Sequence, residues 1–300
     1  MTSMSRRIIG LAVPPLAAAS LVLAGCAQPG PDPGAGPGSA GPDRQNYQVA
    51  ATVLEAPGTG PQLCHAVADS YPPQCGGPEV VGWDWDAVES ESASGTTWGS
   101  YLLTGTWDGE RFTLTGSPEP PAGRLDPPDA GPDFTSPCPE PAGGWQPVDP
   151  DTATQDALSA ALTRAAADPG YAGSWVDQSY LDDSGDRDRE DLEEAGNDPA
   201  RLVLNLRFTG DFAAREQPIR QVWGGALCLS GAAHTEAELL DIQRRLSEEL
   251  PDTVLSSGVD TLANAVTAQV FVVDPELERE LDDRYGAGTV ILAGWLRPLS

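Results

Sequence analysis

Histidine and lysine, two side chains that often carry acid–base and nucleophilic chemistry in proteins, are scarce in this chain. It contains only two histidines, His65 and His234, and no lysine among its 300 residues. A lysine Schiff base, a lysine general base and the usual phosphate-binding P-loop are therefore excluded. Neither histidine shares a motif with a serine or cysteine nucleophile, and two are too few for a multi-histidine metal site. We interpret both histidines as structural or exposed.

Carboxylates are abundant instead, because 45 Asp and Glu stand against 17 Arg and give a formal net charge of −28. Nucleic acid is excluded as a partner, since phosphates are bound by clustered cations. The densest acidic run extends from Asp182 to Asp198 and contains Asp183-Ser184-Gly185, similar to the D-[ST]-G motif of aspartic proteases but without its apolar flanks. Calcium binding by this run stays open, although Arg187 stands where an EF-hand loop needs glycine. We expect a solvated insertion.

The N-terminus has the features of a bacterial secretory signal. Arg6-Arg7 precede an apolar run from Ile8 to Leu23, which is too short and too proline-interrupted for a comfortable membrane span. The run ends in Leu23-Ala24-Gly25-Cys26, which resembles the lipobox of bacterial lipoproteins. The resemblance implies cleavage before Cys26 and lipidation of its sulfur. We therefore expect a lipid anchor in the cell membrane, on the extracytoplasmic face.

Four further cysteines remain in the exported chain: Cys64, Cys75, Cys138 and Cys228. An even number in an exported protein predicts two disulfides, and four cysteines allow three pairings. The Cys64–Cys75 pairing is favoured, because the ten residues between them include Pro72-Pro73 and form a loop that brings the ends together. Cys138–Cys228 then follows by elimination. Zinc is disfavoured because no C-x-x-C spacing occurs, and we assign no metal, cofactor or catalytic residue.

Composition divides the chain into five segments. A signal peptide (1–25) is followed by a flexible Gly/Pro tether (26–46), a β-rich domain (47–116), a Pro-rich linker (117–150) and an α+β domain (151–300). A β-rich domain followed by a domain that contains both helices and strands predicts the α+β fold class.

Short alternating segments and Gly-rich turns predict a small β-barrel-like domain at 47–116, with an OB-like barrel as one form. Gln48–Leu54 and Val80–Trp85 are strand candidates, and the second would place Trp83 and Trp85 on one face. Asp108-Gly109 between two alternating runs predicts a two-residue hairpin turn.

The 151–300 domain contains an internal repeat, with copies at 173–231 and 256–294. Asp211 and Asp274 are 63 residues apart, and so are Cys228 and Ile291. Upstream the spacing is 83, so the acidic run is an insertion in the first copy. Each copy is predicted as a ββαβ module with an antiparallel sheet and helices. Capping boxes at Thr152–Gln155 and Thr235–Glu238 predict two further helices.

Several motifs resemble a family of uncharacterised actinobacterial envelope lipoproteins over most of the exported chain. They are Pro72-Pro73-Gln74-Cys75-Gly76-Gly77-Pro78, Trp98-Gly99, Gly105-Thr106-Trp107-Asp108-Gly109 and Tyr285-Gly286-Ala287-Gly288-Thr289-Val290. The repeat is also weakly similar to the propeptide modules of secreted bacterial serine proteases, which implies a fold and no activity.

Two functions follow as hypotheses. The first is a membrane-anchored lipoprotein that acts as a non-enzymatic binding or envelope-assembly module with a protein partner. The alternative is an envelope hydrolase that uses acidic residues in an interdomain cleft. Two close carboxylates in a deep pocket, one of them desolvated, would favour the hydrolase.

Overall fold

A computed structural model of the protein describes residues 45–121, 131–184, 196 and 198–299. Residues 44–300 group into one compact unit. Its described part contains three β-sheets and four α-helices. The signal peptide, Cys26, nearly all of the tether and most of the acidic run lie outside the described residues. Within those described ranges, no helix is long and apolar enough to cross a membrane.

The β-rich region forms a seven-stranded sheet, built on two long antiparallel strands that pair from Asn46↔Thr106 to Glu55↔Thr97. Its strand order is β13-β1-β5-β6-β3, with β2 beside β1 and β4 beside β5. Its strands are β1 (Asn46–Glu55), β2 (Gln62–Cys64), β3 (Val80–Val81), β4 (Glu91–Ala93), β5 (Thr96–Trp107), β6 (Phe112–Leu114) and β13 (Arg297–Pro298).

The predicted barrel is wrong, because the described strands do not close on themselves. β13 and β3 lie at opposite ends of the strand order, and each has only two residues. Gly82 takes a positive φ of 85° directly after β3 and ends the strand. Trp83 and Trp85 therefore do not share a strand face. Trp83 lies in irregular chain after Gly82, and Trp85 begins a 3₁₀ turn.

The predicted hairpin is confirmed, but its turn is longer than two residues. Trp107 pairs with Phe112, so four residues connect β5 to β6. Gly109 has a positive φ of 101°, whereas Asp108 does not. The Asp108 carboxylate instead accepts hydrogen bonds from the backbone N–H groups of Glu110 and Arg111. These two hydrogen bonds stabilise the turn without the positive φ that the prediction required at Asp108.

Two three-stranded sheets follow in the chain. The first sheet contains β7 (Tyr171–Asp177), β8 (Val203–Phe208) and β9 (Ala226–Gly231), and the second contains β10 (Val254–Asp260), β11 (Ala265–Val270) and β12 (Val290–Gly294). In each, the first pair is antiparallel and the second pair is parallel. The predicted antiparallel pairing is therefore present only in the first strand pair of each sheet, since a helix-containing crossover joins the last two strands in parallel.

The two sheets also share their register. Val176 pairs with Leu204, and Val259, 83 residues after Val176, pairs with Val266. The same pairing irregularity occurs at Tyr171/Gly173 and at Val254/Ser256. The predicted spacing of 63 holds from β9 to β12, but β8 and β11 correspond at a spacing of 62. The parallel pairs Leu204↔Leu227 and Val266↔Val290 require this offset.

The four helices are α1 (Gln155–Ala166), α2 (Glu216–Arg220), α3 (Glu236–Glu249) and α4 (Pro275–Tyr285). The capping box of α3 is confirmed, because Thr235 and Glu238 bond each other's backbone N–H groups. The box predicted at Thr152 is wrong, since Thr154 is the N-cap of α1 and Thr152 lies in a preceding 3₁₀ turn. Pro218 falls inside α2, which has only five residues, and it lacks the backbone N–H that a longer helix would need there.

Each three-stranded sheet buries one face against helices. Leu158, Ala161 and Ala165 of α1 pack with Leu204, Leu206 and Phe208 of β8. Leu239 and Leu246 of α3 pack with Val266 and Ala268 of β11, and Leu281 of α4 joins them. The opposite face of each sheet is called its outer face below, and side chains alternate between the two faces along every strand.

Candidate functional site

An extended part of the linker covers the outer face of the first sheet. This cover segment, residues 131–148, is fastened by the Cys138–Cys228 disulfide. Trp145 packs with Val203, Ala226 and Cys228 beneath it. Both disulfides predicted from the sequence are present, because Cys64 is also bonded to Cys75.

Polar contacts fix the register of the cover segment on the sheet. The Trp175 indole N–H donates to the carbonyl oxygen of Phe134 at 3.0 Å. The backbone N–H of Ser136 donates to Asp177 Oδ2 at 2.7 Å. Asp177 Oδ1 accepts the backbone N–H of Ser179 at 2.9 Å. One buried carboxylate thus joins the cover segment to the chain that leaves β7.

The charge on Asp177 is held by these hydrogen bonds. Its side chain is buried, with 4% of the residue exposed. Burial by itself raises the pKa of the Asp177 carboxyl, but the bonds from Ser179 and Ser136 outweigh burial and hold the pKa below the usual 3.8. Asp177 is therefore ionised throughout the physiological pH range.

A cavity of about 630 Å³ contains a pair of carboxylates, Asp133 and Asp177. A hydrolytic pair needs one carboxyl whose pKa is raised, so that it stays protonated and acts as the acid. Here the pKa of Asp133 is also lowered, first by the hydrogen bond from the Thr135 side chain and then by that from the Thr135 backbone. Both groups are thus ionised at neutral pH, and this pair does not divide the acid and base roles.

Asp177→Asn is expected to lower the free energy of unfolding at pH 7 by about 1.5–3 kcal/mol, the contribution of hydrogen bonds to a charged group. A depressed folded-state pKa stabilises the fold above the unfolded value, near 4, and that contribution disappears as the pH falls through the folded pKa below 3.8. When the pH is lowered, the free energy of unfolding should therefore fall less in Asp177→Asn than in the parent. Urea unfolding between pH 7 and pH 2 measures both effects, with the exposed Asp252→Asn as control. Equal stability of parent and Asp177→Asn at pH 7 would contradict the assignment.

Arg207 on β8 contacts the loop between β10 and β11. One nitrogen, Nη1, donates to the carbonyl oxygens of Thr261 at 2.7 Å and Leu262 at 2.9 Å, and Nη2 donates to Gly231 at 3.2 Å. Burial lowers the pKa of the guanidinium, while the charge of Asp260 acts in the opposite sense. Arg207 therefore fixes the first sheet against the second through backbone groups.

His234 lies beside Thr289 at a cavity of about 480 Å³ that Arg207 also lines. His234 Nε2 is 3.2 Å from Thr289 Oγ1, and that hydroxyl donates to the carbonyl oxygen of Tyr285 at 3.0 Å. Since the hydroxyl proton is directed to Tyr285, the imidazole nitrogen meets an acceptor and does not activate Thr289 as a nucleophile. Asn264 Oδ1 accepts the backbone N–H of His234 at 2.9 Å and holds this turn.

His65 connects the seven-stranded sheet with the second three-stranded sheet. Its Nε2 is hydrogen-bonded to Gln269 Oε1, and its ring meets Trp295 edge-on at 5.0 Å. Phe271 stacks on Trp107 at 4.6 Å in the same region. The two histidines thus occupy different places, and the structure does not bring them together.

The remaining candidates are aromatic or acidic. Trp83 meets Trp85 edge-on at 5.2 Å and Tyr101 at 5.0 Å, and all three belong to the apolar cluster of the seven-stranded sheet. In the ranges that the structure covers, no group of three or more His, Cys, Asp or Glu side chains could hold a metal ion. Most of the acidic run from Asp182 to Asp198, and hence the calcium hypothesis, lies outside those ranges.

Sequence reasoning did not identify Asp177 or Arg207 as contact residues. A signal for Asp177 was present, because Asp260 stands at the same place in the repeat. No pattern along the chain indicated that residues 131–148 would lie on the outer face of the first sheet.

No known protein-family model matches the chain, and no curated protein sequence matches it significantly.

Proposed function

We propose that this protein is a membrane-anchored extracytoplasmic lipoprotein that acts as a non-enzymatic binding or envelope-assembly module. The lipobox-like Leu23-Ala24-Gly25-Cys26 supports the anchor. The two disulfides suit an oxidising compartment outside the cytoplasm. Membership in a family of actinobacterial envelope lipoproteins is part of the same proposal and rests on the motifs quoted above.

One observation carries the binding function: the first sheet already holds an extended, proline-rich segment on its outer face. Side chains on that face hold the backbone of the cover segment, since Trp175 donates to Phe134 and Asp177 accepts from Ser136. A face that holds one extended segment by its backbone has the chemistry for recognising extended peptides. The lowered pKa values of both carboxyls in the Asp133–Asp177 pair do not favour the hydrolase alternative.

The repeat is proposed to be a duplicated ββαβ module, each copy preceded by a helix. Thr154 and Thr235, the N-caps of α1 and α3, are 81 residues apart. Leu158, Ala161 and Ala165 of α1 stand at the same spacing from Leu239, Ile242 and Leu246 of α3. Similarity to protease propeptide modules concerns this fold alone.

Cys26→Ala is expected to abolish lipid anchoring, because the thiol that accepts the lipid is missing. The protein should then remain as an uncleaved precursor or be mislocalised. Cell fractionation and intact-mass measurement check this result, with Ala27→Ser as the neighbouring control. Normal mature protein at parental membrane levels in Cys26→Ala would overturn the anchor.

The binding function is tested by cross-linking the parent chain in its native envelope and identifying the attached proteins by mass spectrometry. We expect a small set of reproducible protein cross-links that Cys26→Ala loses and Ala27→Ser keeps. Cross-links that do not differ between anchored and mislocalised chains would contradict an envelope-assembly role.

A further inference from the structure

The second sheet has an outer face equivalent to the one that the cover segment occupies on the first sheet. Residues of the second sheet that pack on α3 and α4 include Val259, Val266 and Val290. Their neighbours along the strands face the other way. These outer-face residues are Ser256, Gly258 and Asp260 of β10, Thr267 and Gln269 of β11, and Ile291 and Ala293 of β12.

This second outer face is open along two of its strands. Ile291 is 41% exposed, whereas Cys228, its counterpart in the first sheet, is 1% exposed. Ala293 is exposed as well. A Cβ placed on Gly258 would meet no described atom within 4 Å. The centre of β10 therefore borders open space.

Three positions determine how the cover segment is held on the first sheet, and each has a counterpart on the second. Asp260 replaces Asp177 and Gly258 replaces Trp175, both at the spacing of 83 that the register defines. Ile291 replaces Cys228 at the spacing of 63. The face thus keeps the carboxylate, loses the indole donor and exchanges the covalent attachment for an apolar side chain.

The carboxylate on the second outer face has an acceptor atom available. Asp260 Oδ1 accepts the backbone N–H of Ala263 in the turn after β10, at 2.9 Å. This bond resembles the one from Ser179 to Asp177 Oδ1. In the first sheet Oδ2 of the aspartate accepts Ser136 of the cover segment. No hydrogen bond from a described residue occupies Oδ2 of Asp260.

We propose that the outer face of the second sheet binds an extended, proline-containing peptide segment of a partner protein, in the register that residues 134–138 take on the first sheet. Ile291 would hold this peptide by apolar contact where Cys228 holds the cover segment covalently, so that binding is reversible. The inference rests on the proposed binding function and names the class of partner.

Charge favours a separate peptide over a second copy of this chain. Two copies would each contribute a formal charge of −28, which opposes self-association. The outer face itself is mostly neutral, and its charged member, Asp260, accepts the backbone N–H of Ala263 and has room for a second donor at Oδ2. A neutral or basic extended segment therefore fits it best.

The probe is a synthetic peptide of residues 132–145 of this chain with Cys138→Val, so that it cannot form a disulfide, and with Asp133→Asn and Glu140→Gln, so that its side chains are neutral. It is titrated into the full chain by calorimetry, beside a peptide of the same composition in scrambled order. We expect saturable binding of the ordered peptide with a dissociation constant below about 1 mM, and no saturation by the scrambled peptide.

Two variants and a control locate the peptide. Ile291→Arg should weaken binding at least about tenfold, because it places a charge at the apolar contact. Gly258→Trp should strengthen it by about threefold to tenfold, because it restores the indole donor of Trp175. Leu240→Arg, on the solvent side of α3 where Leu240 is 50% exposed, should leave affinity within about twofold. Melting temperatures show that each variant is folded.

Absence of saturable binding, or equal effects of Ile291→Arg and Leu240→Arg, would overturn the assignment. So would self-association of the peptide-free chain that Ile291→Arg removes, since a second copy would then be the occupant. Envelope cross-links that persist in Ile291→Arg would refute this face while leaving the proposed binding function intact. If the peptide binds as expected but envelope cross-links are not specific, the peptide-binding role of this face is supported and the envelope-assembly role is contradicted.

Discussion

Simultaneous replacement of Cys138 and Cys228 with Ala is expected to lower the free energy of unfolding by about 4–5 kcal/mol. The disulfide closes a loop of 90 residues and thereby restricts the unfolded chain. It also holds the cover segment over Val203 and Ala226, which are each 3% exposed. Urea denaturation under non-reducing conditions measures the change.

The second disulfide provides a matched control. Cys64 and Cys75 are 11 residues apart, so removing this pair should cost about 1–2 kcal/mol less than removing the other. The double variant at Cys138 and Cys228 should also expose Trp175, which a red shift of tryptophan emission detects. A larger loss from the short loop than from the long one would contradict the predicted order.

Trp223→Ala is expected to cost about 3–5 kcal/mol of unfolding free energy, because it deletes a large side chain that is 0% exposed. The indole packs in the cluster between α1 and the first sheet, and its N–H donates to the carbonyl oxygen of Ala226 at 3.0 Å. Thermal and urea unfolding check the loss. Trp223→Phe keeps much of the volume and should recover part of the stability.

Glycine next to Trp223 is required by close packing. A Cβ on Gly225 would come within 2.1 Å of the Trp223 ring, and one on Gly224 within 2.3 Å of the carbonyl oxygen of Asp149. Gly225→Ala should therefore destabilise the same cluster, although it removes no contact. A Trp223→Ala variant as stable as the parent would refute the role of this side chain in the core.

Local bonding made several elements predictable. The Thr235–Glu238 capping box depends on side chains within three residues of the groups they bond. The hairpin at Gly109 depends on one positive φ. The same logic failed at Thr152, because Thr152 ends a 3₁₀ turn and Thr154 caps α1 instead.

The candidate site was only partly predictable. The disulfide pair Cys138–Cys228 followed by elimination once the short Cys64–Cys75 loop was favoured, and it attaches the linker to the first three-stranded sheet. The contacts that determine what this placement does could not be predicted, because Asp177 and Ser136 are 41 residues apart and neither belongs to a motif. The equivalence of Gly258 with Trp175 follows from the spacing of 83 in the sequence, whereas the spacing of 62 between β8 and β11 needs the strand register.

By itself, the sequence determined the features that neighbouring residues or simple counts control: the acidic charge, the α+β class, the capped helices, the two disulfides and the existence of a repeat. Tertiary structure decided which surfaces meet. It decided that β13 pairs with β1 across about 250 residues, that the described strands do not close into a barrel, and that the linker covers one outer face and leaves its counterpart open. Pairings of such sequence separation depend on packing of the whole chain, and no local pattern carries that information.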